Sequence, residues 1–202
     1  GTEADLIPFF NSSPIIFLIL IPAITMRSIA EERRTGTMEL LFTRPISDLK
    51  IVLAKYFASV TLMIIAILPT LIYYISMRSL TMEGETFDNG ATITSYIGLI
   101  LIGSAFVAIG IFASALTSSQ IVAFILALFC CWIFMPQIGG LALLGSYNLM
   151  GDFDSVVQYF GMTYHYDGIQ KGVIDTKNIV YFLSVITLFI YAALTVIKSL
   201  KK

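Results

Sequence analysis

Charged residues leave four long stretches of this sequence empty. No Asp, Glu, Lys or Arg occurs in Leu6–Met26, Tyr56–Met77, Asn89–Gly151 or Asn178–Ile197. A soluble fold places charges on the outer face of nearly every element, so gaps of this length exclude an ordinary soluble domain. A helix of about 20 apolar residues crosses the hydrocarbon core of a bilayer. Three windows fit one crossing each, and Asn89–Gly151 has room for two or more, with the polar knot Thr117-Ser118-Ser119-Gln120 dividing it where two tightly joined helices would meet. Five spans are expected, at about 7–29, 51–76, 95–116, 119–136 and 178–198. Phe17-Leu18-Ile19-Leu20-Ile21 and Val122–Phe129 are continuously apolar, where strands of a β-barrel would alternate. The expected fold is all-α and polytopic, one transmembrane domain over residues 1–202.

Composition agrees. Of 202 residues, 57% are hydrophobic and 12% charged, about half the charged share usual in soluble domains, and mean hydropathy is +0.89. Disordered, nucleic-acid-binding and disulfide-scaffold classes are excluded. Cys130 and Cys131 are neighbours inside an apolar window and read as small buried hydrophobes. Gly1-Thr2-Glu3-Ala4-Asp5 has neither an initiator Met nor a signal-peptide pattern. The sequence is therefore expected to be the remainder of a longer chain.

With five spans, alternate connections share a side. One side holds Arg27, Arg33, Arg34, Arg44, Lys50, Lys55, Lys198, Lys201 and Lys202 against Glu31, Glu32, Glu39 and Asp48. The other holds Arg78, Lys171 and Lys177 against Glu3, Asp5, Glu83, Glu85, Asp88, Asp152, Asp154, Asp167 and Asp175. The formal net charge of −1 conceals this polarity. Lys and Arg mark the cytoplasmic side of a membrane protein, so the given sequence is expected to start outside and end inside.

The sharpest local signal lies between the first two spans. Gly36 can end an extension of the first helix. Thr37 reads as an N-cap with Glu39 in the first turn, and Met38, Leu41 and Phe42 fall on one apolar stripe. Thr43-Arg44-Pro45 closes this short helix, and Ser47 caps the next. Too short to be stable alone, it must lie on the bilayer surface or in a partner's groove. An interfacial helix and a docking element for a cytoplasmic subunit are both open on these grounds.

Glu31-Glu32-Arg33-Arg34-Thr35-Gly36-Thr37-Met38-Glu39-Leu40-Leu41, followed by Thr43-Arg44-Pro45-Ile46-Ser47, resembles the Glu-basic-basic-x-Gly-Thr-x-Glu-x-Leu … Pro-Ile-Ser signature of ABC-2-type transporter permeases. Gly168–Leu183 resembles the run before that family's last span. Pro8-Phe9-Phe10 and Leu20–Arg27 are similar to the gliding-motility-associated permease subunits of Bacteroidota within it. The resemblance covers essentially the whole sequence. It implies a six-helix fold whose first helix is missing here, and a multi-pass place in the cytoplasmic (inner) membrane. It implies that residues 31–43, with Glu31, Glu32, Arg33, Arg34, Gly36, Thr37, Met38, Glu39, Leu41 and Phe42, form the segment coupling to an ABC ATPase subunit. The Ala115–Gln120 connection would supply a minor second contact, and residues 139–177 an outer loop or re-entrant helices. It further implies pairing with a second permease subunit, as a homo- or heterodimer, and an exporter.

The Gly-x4-Gly-Lys-Ser/Thr phosphate loop is absent from the sequence, so ATP and Mg would belong to the partner ATPase, with no cofactor or metal held by this chain. No His/Cys/Asp/Glu cluster has metal-ligand spacing. His165 reads as an interfacial or loop histidine, with substrate contact or pH sensing as the sharper alternative. An intramembrane enzyme would need ionisable groups at depth. The expected span interiors hold none, and Ser59, Ser76, Ser104 and Ser114 lack a base in their own spans. A membrane anchor or assembly protein without transport is the remaining alternative. Carboxylates near the midplane would mark an ion-coupled carrier, and their absence disfavours one.

Gly103, Gly110 and Ser114 fall on one face of the third span, suited to close helix packing or to a dimer or translocation seam. Pro22 and Pro69 remove backbone donors inside spans, and Pro136 is expected to end the fourth. Tyr147, Phe153, Tyr159, Phe160, Tyr164 and Tyr166 are expected in an aromatic belt at the headgroups, or in an outward gate.

Overall fold

The structure is a computed structural model that describes residues 6–43, 45–80, 89–135, 161–172 and 175–201. Within them the chain is helical and contains no strand. Helices α1 (Ile7–Thr25), α2 (Ala30–Arg34), α3 (Thr37–Phe42) and α4 (Asp48–Ile67) come first. A 3-10 turn at Leu68–Thr70 leads into α5 (Leu71–Leu80). Then follow α6 (Asn89–Leu116), α7 (Gln120–Ile133), α8 (Met162–Gln170) and α9 (Thr176–Leu200). Four rods are long and apolar enough to cross a membrane: Ile7–Arg34, Asp48–Ser79, Asn89–Leu116 and Thr176–Leu200.

Helix α6 is the axis of the bundle. Of its most apolar window 78% is buried, against 33–39% for the other three rods, and α1, α4, α7, α8 and α9 all pack on it. A helix apolar on every side belongs inside a bundle. It begins six residues before the expected boundary, and hydroxyls of its first turns bond back to its own carbonyls. Thr94 Oγ1 donates to Gly90 O at 3.1 Å and Ser95 Oγ to Ala91 O at 2.7 Å.

Contacts along α6 fix the directions of its neighbours. The Phe10 ring meets Tyr96 edge-on at 5.0 Å, Phe17 lies at Gly103 and Thr25 at Gly110, so α1 runs parallel to α6. Met63 lies at Gly103, Tyr96 Oη donates to Thr70 O at 3.1 Å and Tyr74 Oη to Asn89 Oδ1 at 2.9 Å. Helix α4 and its continuation α5 therefore run antiparallel. A Cβ at Gly110 would overlap the Thr25 hydroxyl, and one at Gly103 the Met63 sulfur. The small face foreseen on this span is thus filled by α1 and α4 of the same chain.

Pro14 and Pro22 both lie inside α1. Pro14 offers no N–H to the carbonyl of Phe10 four residues back, and the buried Tyr166 hydroxyl of α8 donates to that oxygen at 2.9 Å. Tyr166 is thus a core residue at 1% exposure, which corrects its placement in a headgroup belt. Pro69 sits in the 3-10 turn that joins α4 to α5.

The expected fourth span differs most. Helix α7 has 14 residues, about 21 Å at 1.5 Å per residue, short of the ~30 Å hydrocarbon core. The chain is picked up again at its end, where Met162 N donates to Phe134 O at 2.9 Å. Tyr166 and Ile169 pack on Gly98, and Ser95 Oγ reaches Gln170 O at 3.5 Å, so α8 also runs antiparallel to α6. Helix α8 thereby continues the course of α7. His165 lies within it, 5% exposed. Its Nδ1 is 2.8 Å from Asn178 Oδ1 of α9, and its ring stacks on Tyr181 at 4.0 Å. It is a buried packing residue and not the loop or interfacial histidine expected. The expectations for Pro136, Tyr147, Phe153, Tyr159 and Phe160 lie outside the described residues.

Outward faces are apolar where a bilayer would touch them: Ile15, Ile16 and Ile19 on α1, Ile121, Ile125 and Phe129 on α7, Leu183, Leu188 and Tyr191 on α9. Asp175 caps α9, accepting from Lys177 N at 3.0 Å.

Candidate docking site at the basic end

Where α1 and α6 end, the chain folds back on itself and its charges gather. After α1 a turn through Met26–Ile29 leads into α2, and Ile29 and Ala30 are fully buried. Arg33 Nη1 donates to Ala115 O at 2.6 Å, tying α2 to the last turn of α6. Lys55 of α4 pairs with Glu32, tying α2 to a second span. Arg34 Nη2 pairs with Glu31 Oε1 at 2.8 Å within the helix.

Gly36 follows in the left-handed region at φ 72°, where a side chain is disfavoured. It ends the α2 turn as expected, and it also occupies the N-cap position of α3. Thr37 is the first helical residue of α3 and not its cap. Its hydroxyl is drawn back to Glu32 O at 3.4 Å and to Thr35 Oγ1 at 3.0 Å, while Thr35 Oγ1 donates to Glu31 O at 2.9 Å. These bonds hold α2 and α3 in one fixed corner.

The apolar stripe of α3 points inward. Met38 is 4% exposed and joins the core, with Phe42 packed against it, and Leu41 is half-buried. The Lys201 ammonium sits 5.7 Å from the Phe42 ring centroid and 3.5 Å from Asp48, which brings the end of α9 to the same corner. The chain's own bundle therefore supplies the groove that sequence reasoning assigned to a membrane surface or a partner. What α3 leaves outside is Glu39 and Leu40, the latter 67% exposed. Leu40 was missed because a stripe argument selects residues that share a face with Met38. Ser47 takes the N-cap position of α4 through its backbone, with no bond from its hydroxyl.

A second element completes the site. Arg27 Nε donates to Gln120 Oε1 at 3.2 Å. An open cleft of about 730 Å³ lies between α2 and the α6–α7 turn, lined by Arg27, Glu31, Arg34, Ser118, Ser119, Gln120 and Ile121. The two connections named in the sequence as major and minor contacts thus lie side by side. The pairings of Lys55 with Glu32, Lys201 with Asp48 and Gln120 with Arg27 carried no sequence signal, because each partner is distant in the chain from what it holds.

This end can offer a rigid, charged, concave surface to a macromolecule. A family model described as ABC-2 family transporter protein matches residues 6–200, so the chain belongs to the ABC-2 transporter family and is a multi-pass membrane protein. No curated protein matches it.

Proposed function

We propose that this chain is the membrane-spanning permease subunit of an ATP-driven transporter, and that the corner built by α2 and α3 docks a separate ATPase. One observation carries the reading. The family's membrane domain here ends in a corner strapped to α4 and α6, with Glu39 and Leu40 exposed on α3 and an open cleft between α2 and the α6–α7 turn. A surface fixed to several spans can pass a push into them, and a loose loop cannot.

In this reading the basic end faces the cytoplasm, since the connections that the sequence assigns to its side carry nine of the twelve Lys and Arg. Two permease subunits pair in the inner membrane, and each engages one ATPase. ATP and Mg are bound by the ATPase, whose closure displaces the corner. This chain performs no hydrolysis. Export rests on the resemblance to ABC-2-type permeases alone, and a gliding-associated transporter on the sequence likeness of Pro8–Phe10 and Leu20–Arg27 alone.

The test separates surface from support. With the chain purified from native membranes, an ABC ATPase should accompany it. Glu39→Lys should weaken that association about fivefold, the effect of about 1 kcal/mol for one exposed ionic contact. Met38→Ala should instead lower the unfolding temperature in detergent, at a cost of about 2–5 kcal/mol. Full ATPase retention by a Glu39→Lys, Leu40→Asp double variant would overturn the docking surface. A wild-type preparation without any ATPase would favour a structural anchor.

A further inference from the structure

Where α1 stops and α2 starts, backbone groups at both helix ends lose their intrahelical partners. Ile29 and Ala30 are 0% exposed, so water cannot serve their N–H groups. One side chain from a third helix does so. Ser114 Oγ, in the last turn of α6, accepts from Ile29 N and from Ala30 N at 3.0 Å each, and donates to Met26 O at 3.1 Å. A serine hydroxyl has one proton and two lone pairs, and all three are used. Ser114 is itself 0% exposed and turns about a single side-chain torsion.

The other ties of α2 are of a different kind. Arg33 and Lys55 are long side chains, and the Lys55–Glu32 pair is about 30% exposed on both sides, so each can stretch without breaking. Four residues above Ser114, Gly110 presses on Thr25. Two successive turns of α6 therefore grip the end of α1 and the start of α2.

We propose that Ser114 is a joint, a positioning residue that fixes the start of the docking corner to α6 and carries the corner's displacement into the helix at the centre of the bundle. This deepens the permease reading and rests on it. Ser114 does not touch the ATPase, since it is fully buried. A shift of α2 along its own axis has to break the two buried hydrogen bonds from Ile29 N and Ala30 N or move α6 with it. Because α6 contacts α1, α4, α7, α8 and α9, moving it moves the bundle.

Hydrogen exchange on the permease–ATPase complex in nanodiscs, with and without ATP plus vanadate, tests this. In the wild type, nucleotide should change exchange both in residues 26–34 and in residues 89–116. Ser114→Ala should keep the ATPase at wild-type stoichiometry and keep the change in 26–34, but lose it in 89–116. Ser114→Thr, which retains the hydroxyl, should restore it. A purely structural serine would alter stability without uncoupling the two segments. If Ser114→Ala does not accumulate in the membrane, Ser114→Cys, similar in volume with a much weaker hydrogen-bonding group, takes its place. Transmission into 89–116 as in the wild type overturns the joint alone. A wild-type chain that holds no ATPase overturns the permease reading, and the joint with it.

Discussion

Pro14 withholds an N–H from the Phe10 carbonyl, and Tyr166 supplies an O–H in its place. The two residues are 152 positions apart in the sequence but act on one oxygen, so their effects should be non-additive. Tyr166→Phe is expected to cost about 1–3 kcal/mol, the penalty for an unmet buried carbonyl. In a Pro14→Ala background, which returns the N–H, the same change should cost much less. Thermal unfolding of the four proteins in detergent measures this cycle, and equal costs in both backgrounds would refute the pairing. The glycines of α6 separate similarly. Gly110→Ala should destabilise by about 1–3 kcal/mol, because Thr25 is held by its own bond to Ile21 O at 2.9 Å. Gly103→Ala should cost less, since the end of the Met63 side chain can swing aside.

At the scale of elements, the corner of α2 and α3 is rigid for local reasons and placed for distant ones. Its turn is set by Gly36 at φ 72°; Gly36→Ala should strain it by about 1–2 kcal/mol. That variant should reduce ATPase association without touching the exposed residues, measured by co-purification beside Glu39→Lys. Its placement depends on Lys55, Ala115 and Ser114, contributed by α4 and α6. Helix α7 shows the converse. Its sequence promised a full crossing, but 14 helical residues fall short, and α8 takes up the course after Phe134 hands its carbonyl to Met162. The polar His165 is tolerated in this second half because it bonds to Asn178 of α9. Hydropathy alone could not distinguish that from a solvated loop.

For the molecule as a whole, polarity is the testable property. A membrane-impermeant maleimide should modify Leu40→Cys and Ser199→Cys from one side of sealed vesicles and Lys171→Cys from the other. Labelling of all three from one side would refute the arrangement of basic and acidic ends. Much of this was legible beforehand. Charge-free windows announced the long rods, since apolar side chains without charges have nowhere to go but lipid or core. The cluster around Glu31–Phe42 stood out because charge and an apolar stripe share a few residues. The sequence by itself therefore determined that this is a helical, multi-pass chain with one structured connection, because those properties follow from local chemistry repeated along the backbone. Only the tertiary structure decided which faces close against each other: that the α3 stripe turns inward, that α7 and α8 share one course, and that Ser114 caps a helix 84 residues away. Each of those depends on hydrogen-bond partners remote in sequence, and no pattern within a segment records where its unpaired donors will find an acceptor.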